Sequence, residues 1–365
     1  MREIELRADQ TGPKEEIDTV YIGGGTPSVL DVSQLRDILH AVNKHYDIKE
    51  DAEITLEVNP GTLGVKDGVT LAKLQAYRYM GINRLSMGVQ AMDNDRLHFM
   101  GRIHTAENVV RDMKLLRQKG FDNINLDLMF SIPGETTEQA LEDARRIIEL
   151  GPEHISCYSL QIEEGTPFAE MIAGGEIAEV PDEEDRDTYH RLCRMLEDAG
   201  YEHYEISNFA KPGYRSRHNS LYWDMSDYIA FGLGASGFED GVRYKNISDI
   251  DGYITSLKSD KLPLDEVHTN SAFDNISEAV FTGLRRIEGI SYEDAIEAYY
   301  RAPDAEGAEP RGKDACRELF WRVFEEAKEE AGDFGRRGLL IIDDKGLRLT
   351  EQGIDISNSI MSLFV

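Results

Sequence analysis

The chain has 365 residues, with 69 Asp and Glu against 40 Lys and Arg and a formal net charge of −29. That length fits two domains or one large barrel with an appendage, and 41% hydrophobic residues are enough for a buried core, which excludes wholesale disorder. The acidic balance argues against a nucleic-acid or anionic-membrane partner. No apolar run approaches the ~20 residues of a membrane span, and three cysteines are too few for a disulfide framework. A cytoplasmic globular protein is expected.

Short strand-like runs alternate with longer helical patterns through the first half, the signature of a parallel βα architecture. Strands are predicted at Thr19–Ile22, Glu53–Val58, Arg84–Gln90, Asn123–Phe130 and His154–Gln161. Helices are predicted at Ser33–His45, Leu71–Met80, Ala106–Lys119, Thr137–Leu150 and Asp182–Ala199, several of them stopped by Gly81, Gly120 or Gly151. Tyr201 to Asp251 reads as a looser segment. A helical portion follows from about Asp265, broken by a polar loop at Ala302–Asp314. Near the end, Leu339–Ile342 and Leu347–Leu349 flank a hairpin turn at Asp344-Lys345-Gly346, giving a winged-helix-like pattern. The expected divisions are 1–200, 201–264 and 265–365.

Side chains alternate between the faces of a strand. One face takes Ile54, Leu56 and Val58, then Leu85, Met87 and Val89, then Ile124, Leu126 and Leu128. The other takes Thr55, Glu57 and Asn59, then Arg84, Ser86, Gly88 and Gln90, then Asn125, Asp127 and Met129. Helices cover the apolar sets, so the polar sets line the interior. An ordinary closed barrel fills that space with Val, Ile and Leu. A polar lining implies either a cavity for a polar ligand or a satisfied buried network.

Glu57, Gln90 and Asp127 fall near the C-terminal strand ends, where βα proteins place their sites. Glu57 with Asp127 is a candidate acid–base pair. Tyr21-Ile22-Gly23-Gly24-Gly25-Thr26-Pro27-Ser28 ends the first strand, and its glycines make it a ligand-cradling loop or a bare turn. His218-Asn219-Ser220-Leu221-Tyr222-Trp223 places a histidine beside two aromatics in a loop-like region. It reads as a haem contact or as a packed aromatic corner. Cys157, Cys193 and Cys316 have no metal-motif spacing.

Several segments resemble one family when taken in order: Gly23-Gly24-Gly25-Thr26-Pro27, Glu57-Val58-Asn59-Pro60, Asn83-Arg84-Leu85-Ser86-Met87-Gly88-Val89-Gln90, Gly101-Arg102-Ile103-His104 and Asn125-Leu126-Asp127-Leu128-Met129. The family is that of the radical S-adenosylmethionine (SAM) oxygen-independent coproporphyrinogen III oxidases and their relatives. The similarity runs from about Asp18 to the C-terminus. Tyr204-Glu205-Ile206-Ser207-Asn208-Phe209-Ala210-Lys211-Pro212-Gly213 and His218-Asn219…Tyr222-Trp223 look like its haem chaperone branch, HemW.

The resemblance implies an α/β fold: a partial (β/α)6 radical-SAM barrel with a mostly helical C-terminal domain. It implies SAM contacts from Gly24, Gly25, Thr26, Glu57, Gln90, Arg102 and Asp127, with Gln161 and Ser236 matching more weakly. His218, Tyr222 and Trp223 become haem candidates. The family's first strand carries three cysteines, spaced C-x3-C-x2-C, for a [4Fe–4S] cluster. The sequence begins in what corresponds to the helix after that strand, so the expectation is a barrel lacking one βα unit of about 30 residues. Such a chain ligates no cluster and does not cleave SAM. Three functions follow as readings: a haem chaperone delivering haem to acceptor proteins, a coproporphyrinogen III oxidase, or a non-catalytic tetrapyrrole- or SAM-binding scaffold.

Overall fold

A computed structural model describes residues 1–11, 14–64 and 66–365. In chain order the first part holds α1 (Arg2–Thr11), β1 (Glu16–Ile22), α2 (Val32–His45), β2 (Asp47–Val58), α3 (Asp67–Tyr79), β3 (Arg84–Gln90), α4 (Asn94–Phe99) and α5 (Ala106–Gln118). β4 (Ile124–Phe130), α6 (Thr137–Leu150), β5 (His154–Ser159), α7 (Pro167–Ala173), α8 (Asp182–Asp198), β6 (Glu202–Glu205) and β7 (Asn208–Ala210) follow. The remainder comprises α9 (Arg217–Trp223), β8 (Ser236–Glu239), β9 (Val242–Asn246), α10 (Ile250–Lys258), β10 (Leu264–Thr269), α11 (Ala272–Gly283), β11 (Ile290–Ser291) and α12 (Tyr292–Tyr300). It ends with α13 (Lys313–Val323), α14 (Lys328–Arg336), β12 (Leu340–Ile342), β13 (Gly346–Leu349), α15 (Glu351–Ile354) and α16 (Ser357–Met361).

These elements form two compact units. One comprises Glu16–His40 and Ile48–Ser216; the other comprises Met1–Glu15, Ala41–Asp47 and Arg217–Val365.

The first unit is built on a seven-stranded sheet in the order β1-β2-β3-β4-β5-β7-β6. β2 through β5 pair in parallel, and β7 runs antiparallel to both β5 and β6. The apolar sets are sealed: Leu56, Leu85, Met87, Val89, Ile124, Leu126 and Leu128 are all buried, as are Val109 and Leu116 of α5 and Ala140, Ala144 and Ile147 of α6. Local signals set the helix limits. Thr105 and Thr136 open α5 and α6 with capping boxes completed by Asn108 and Gln139. α6 stops at Gly151 in the left-handed conformation.

The second unit carries two three-stranded sheets, β10-β9-β8 and β11-β13-β12. The hairpin at Asp344-Lys345-Gly346 forms as expected, with Leu340 opposite Leu349 and Ile342 opposite Leu347. The small sheet accompanies α11 to α13, and an aromatic cluster of Tyr292, Phe320, Trp321, Phe324 and Phe364 packs this region. In α1, buried Glu3 and Arg7 pair at 3.1 Å, and both bond to Asn246.

Two readings change. The segment from Asp265 begins as a strand: β10 pairs antiparallel with β9, and helix starts only at Ala272, where Ser271 caps it. All six β10 residues are exposed, so no alternation of burial marked the strand. His218 to Trp223 lie on a helix, α9, and not in a loop; the i, i+4 spacing puts His218 and Tyr222 on one face.

Candidate functional site

The C-terminal edge of the parallel sheet gathers most of the expected polar residues. Glu57, near the end of β2, accepts hydrogen bonds from the Tyr21 hydroxyl (2.9 Å) and from the Gly24 amide (3.1 Å). Its carboxylate thus ties the Gly-rich loop to the sheet. Gly23 is required for space, because a Cβ there would lie 2.7 Å from Glu57 Oε1 and from the Tyr21 ring. Gly24 and Gly25 are required for conformation: their φ values are +79° and +80°, and an added Cβ would meet nothing within 4 Å. The loop therefore presents bare backbone toward open space, a shape that admits a close ligand.

Thr26 is fixed from the other side. Asn59 donates from Nδ2 to Thr26 Oγ1 at 3.0 Å, and Ser28 and Thr62 share a hydroxyl bond of 2.6 Å. A Cβ on Gly88 would lie 3.0 Å from both Asn59 Oδ1 and Gln90 Nε2, so both amides border the space over that glycine. Gln90 itself has φ +70°, an uncommon conformation for a residue with a Cβ. It ends β3 where the β3–β4 register shifts.

Asp127 stands one strand further along. Burial pushes its carboxyl up to about 6, hydrogen bonds from Asn125 and Ser156 pull the other way, and the charge of Glu57 adds to the rise. A half-buried carboxylate with this shift favours a ligand that brings its own donors.

Below this rim part of the interior is a hydrogen-bonded network. Asn125 Nδ2 donates to Ser86 Oγ (2.8 Å) and to Asp127 Oδ1 (2.7 Å). His154 bonds Asn125 Oδ1 through Nδ1 and the Tyr204 hydroxyl through Nε2, both at 2.7 Å. With Asn125 Oδ1 accepting, Nδ1 carries the proton and Nε2 accepts from Tyr204. Burial, aided by the charge of Arg84, holds His154 well below the usual imidazole range, so it is neutral. For Ser86, Asn125, Asp127 and His154 the buried-network reading of the polar interior holds.

The remaining candidates are dispersed. Arg102 lies in the loop after α4, and Gln161 is exposed just past β5. Ser236 begins β8 in the second unit. In that unit His218 Nε2 is 2.8 Å from the Tyr222 hydroxyl, and Tyr222 packs edge-on to Tyr228 at 4.8 Å. Burial pushes the Tyr222 phenol up to about 12. The Arg285 guanidinium lies over the Trp223 ring at 4.8 Å, and the Trp223 Nε1 donor is buried without an acceptor.

Tyr21 and Asn59 are the rim residues that the sequence-derived site omits. Their signal was present, since Tyr21 adjoins the glycine run and Asn59 continues the inward set of β2.

The set fits SAM: a Gly24-Gly25 turn without side chains, acceptors at Glu57 and Asp127, and amides at Asn59 and Gln90. It does not fit an iron–sulfur cluster. Among the described residues no three His, Cys, Asp or Glu side chains are grouped to hold a metal ion, and Cys157, Cys193 and Cys316 are each buried.

A curled parallel sheet with a Gly-rich loop and inward carboxylates at its C-terminal edge defines a radical SAM-type barrel. The model of the Radical SAM superfamily matches residues 1–147. The fold is that of the Escherichia coli coproporphyrinogen III oxidase HemN, a radical SAM enzyme. The TM-score is 0.80 at 21% identity, over all of this chain and 81% of that one.

Sequence similarity is stronger elsewhere. The haem chaperone HemW of Lactococcus lactis is 32% identical over 351 residues, 96% of this chain and 85% of its own length. That of Bacillus subtilis is also 32% identical, covering 96% of this chain and 86% of its own. HemW of Escherichia coli reaches 40% identity over 230 residues, 62% of this chain and 58% of its own. The chain belongs to the HemW family, within the radical SAM superfamily.

Proposed function

We propose that this protein is a haem chaperone that binds SAM at the C-terminal edge of its parallel sheet and haem at α9, for delivery to acceptor proteins. One observation carries the reading: similarity to proteins named haem chaperone HemW extends over 96% of the chain, through the α9 motif as well as the sheet. The fold shared with HemN at 21% identity speaks for the architecture alone.

At the SAM site, Glu57 fixes the Gly-rich loop and Asp127 accepts from the donors of the ligand. Asn59 and Gln90 orient what lies between them. SAM supplies the sulfonium chemistry of the superfamily; these residues hold and align it. At α9, His218 is the candidate iron ligand, and Tyr222 and Trp223 are candidate ring contacts. Ligation through Nε2 requires His218 to exchange its Tyr222 partner for iron.

Haem titration tests the reading. The protein is expected to give a Soret band with a defined stoichiometry. His218→Ala should shift that band and weaken binding about tenfold or more, on the scale of losing one buried charge-assisted or metal-linked contact. A spectrum and affinity unchanged in His218→Ala would remove α9 from the haem site.

A further inference from the structure

His218 and Tyr222 stand one turn apart on the same face of α9. Nε2 of the imidazole is 2.8 Å from the phenol oxygen, and the two rings meet edge-on, with centroids 5.1 Å apart at 84°. Burial pushes the phenol up to about 12, so the hydroxyl keeps its proton through the neutral range and donates it to the imidazole nitrogen. The lone pair thus occupied is the one that ligation through Nε2 needs.

The hydroxyl is held in place by what stands behind it. Tyr222 packs edge-on against Tyr228, with centroids 4.8 Å apart at 87°. Tyr228 is itself fixed. Its backbone exchanges hydrogen bonds with Phe238 of β8, at 2.7 and 3.0 Å, and its hydroxyl accepts from Arg243 Nη1 at 3.3 Å. Arg243 of β9 in turn grips Glu278 of α11, with Nε donating at 2.8 Å. This backstop leaves Tyr222 little rotamer freedom to lose when it bonds His218. A hydroxyl placed in this way competes better for Nε2 than a mobile surface group does.

We propose that Tyr222 is a gate on the α9 site: its hydroxyl holds His218 Nε2 while the protein is empty, and haem gains the imidazole only by displacing it. The inference rests on the haem-chaperone reading and adds the regulation of that site. Iron and phenol compete for one lone pair, so the hydrogen bond offsets part of the affinity for haem. When haem leaves, the phenol retakes the nitrogen and opposes rebinding, which suits a carrier that must give up its cargo. Tyr222 becomes a ring contact only after its hydroxyl has let go.

Tyr222→Phe tests this directly, because it removes the hydroxyl and keeps the ring that packs on Tyr228. Haem titration followed at the Soret band should show binding about 2- to 10-fold tighter than in wild type, the range for one net hydrogen bond. Stopped-flow mixing should show faster association, with the Soret position as in wild type. Unchanged or weaker binding in Tyr222→Phe would overturn the proposal and make the hydroxyl a support of the bound state.

A second arm uses no haem. Diethyl pyrocarbonate transfers an ethoxycarbonyl group to an unprotonated imidazole nitrogen, releasing ethanol and carbon dioxide. In the haem-free protein His218 should be modified about 2- to 10-fold faster in Tyr222→Phe than in wild type, measured by peptide mass spectrometry. His268, 66% exposed, should react alike in both and serves as the control. Equal rates at His218 would overturn the gate. If wild type gives no Soret band, or His218→Ala binds haem as wild type does, the haem reading fails, while the acylation rates still decide whether Tyr222 holds Nε2.

Discussion

Asp127 gives the most direct handle on the ligand site. Its carboxyl is raised to about 6 chiefly by burial, and a ligand that donates to it requires the ionised form. Only the ionised fraction is competent, and with that midpoint it is about nine-tenths at pH 7 and about one-tenth at pH 5. SAM affinity should therefore fall about tenfold from pH 7 to pH 5, or about 1.4 kcal/mol.

The same shift has a stability counterpart of opposite direction. A carboxyl with a raised folded-state value contributes stability that is present below its unfolded value, near 3.8, and is lost as pH rises through about 6. The full shift corresponds to roughly 3 kcal/mol, an upper figure because the side chain keeps partial solvent contact. Asp127→Asn should be more stable than wild type at pH 7, by up to that amount, while binding SAM more weakly and without pH dependence between 5 and 7. Calorimetric titration with SAM across this range, paired with thermal melts, measures both. A tenfold affinity change that persists in Asp127→Asn would refute the assignment, as would a flat profile in wild type.

Other consequences are simpler. Burial raises Glu135 to about 7 despite its ion pair with Arg96. Its stabilising contribution is present below about 4.5 and lost as pH rises through 7, so the stability of Glu135→Gln minus wild type should grow by about 3 kcal/mol across that window in urea melts. Leu126→Ala, in the fully buried centre of β4, should cost about 2–5 kcal/mol by denaturant unfolding. Gly25→Ala forces a Cβ into φ +80° and should cost about 1–2 kcal/mol from backbone strain with no clash. Its larger effect should be on the SAM dissociation constant, measured by titration.

The parallel sheet was legible because its signal is local. Leu85, Met87 and Val89 must face helices whatever the tertiary detail, so period-2 alternation located β3 and sorted its inward residues before any geometry was known. Glu57 and Asp127 emerged by the same route. Features set by distant partners stayed hidden. β10 is defined only by its hydrogen bonds to β9, since none of its side chains is buried. The neutrality of His154 depends on Asn125 and Tyr204, which lie 29 and 50 residues away in sequence. The α9 motif showed its aromatic chemistry in sequence, but the Arg285 cover on Trp223 depends on a residue far down the chain.

Gln90 holds a left-handed backbone that glycine would adopt without penalty. Viewed as a position under selection, it is a point where folding and recognition pull toward different amino acids. A library of variants screened for thermal survival alone should drift to glycine at residue 90. One screened for ligand retention should keep the glutamine, whose amide borders the space over Gly88 together with that of Asn59. The end of β3 is thus a site where sequence variation would report which pressure a lineage has been under.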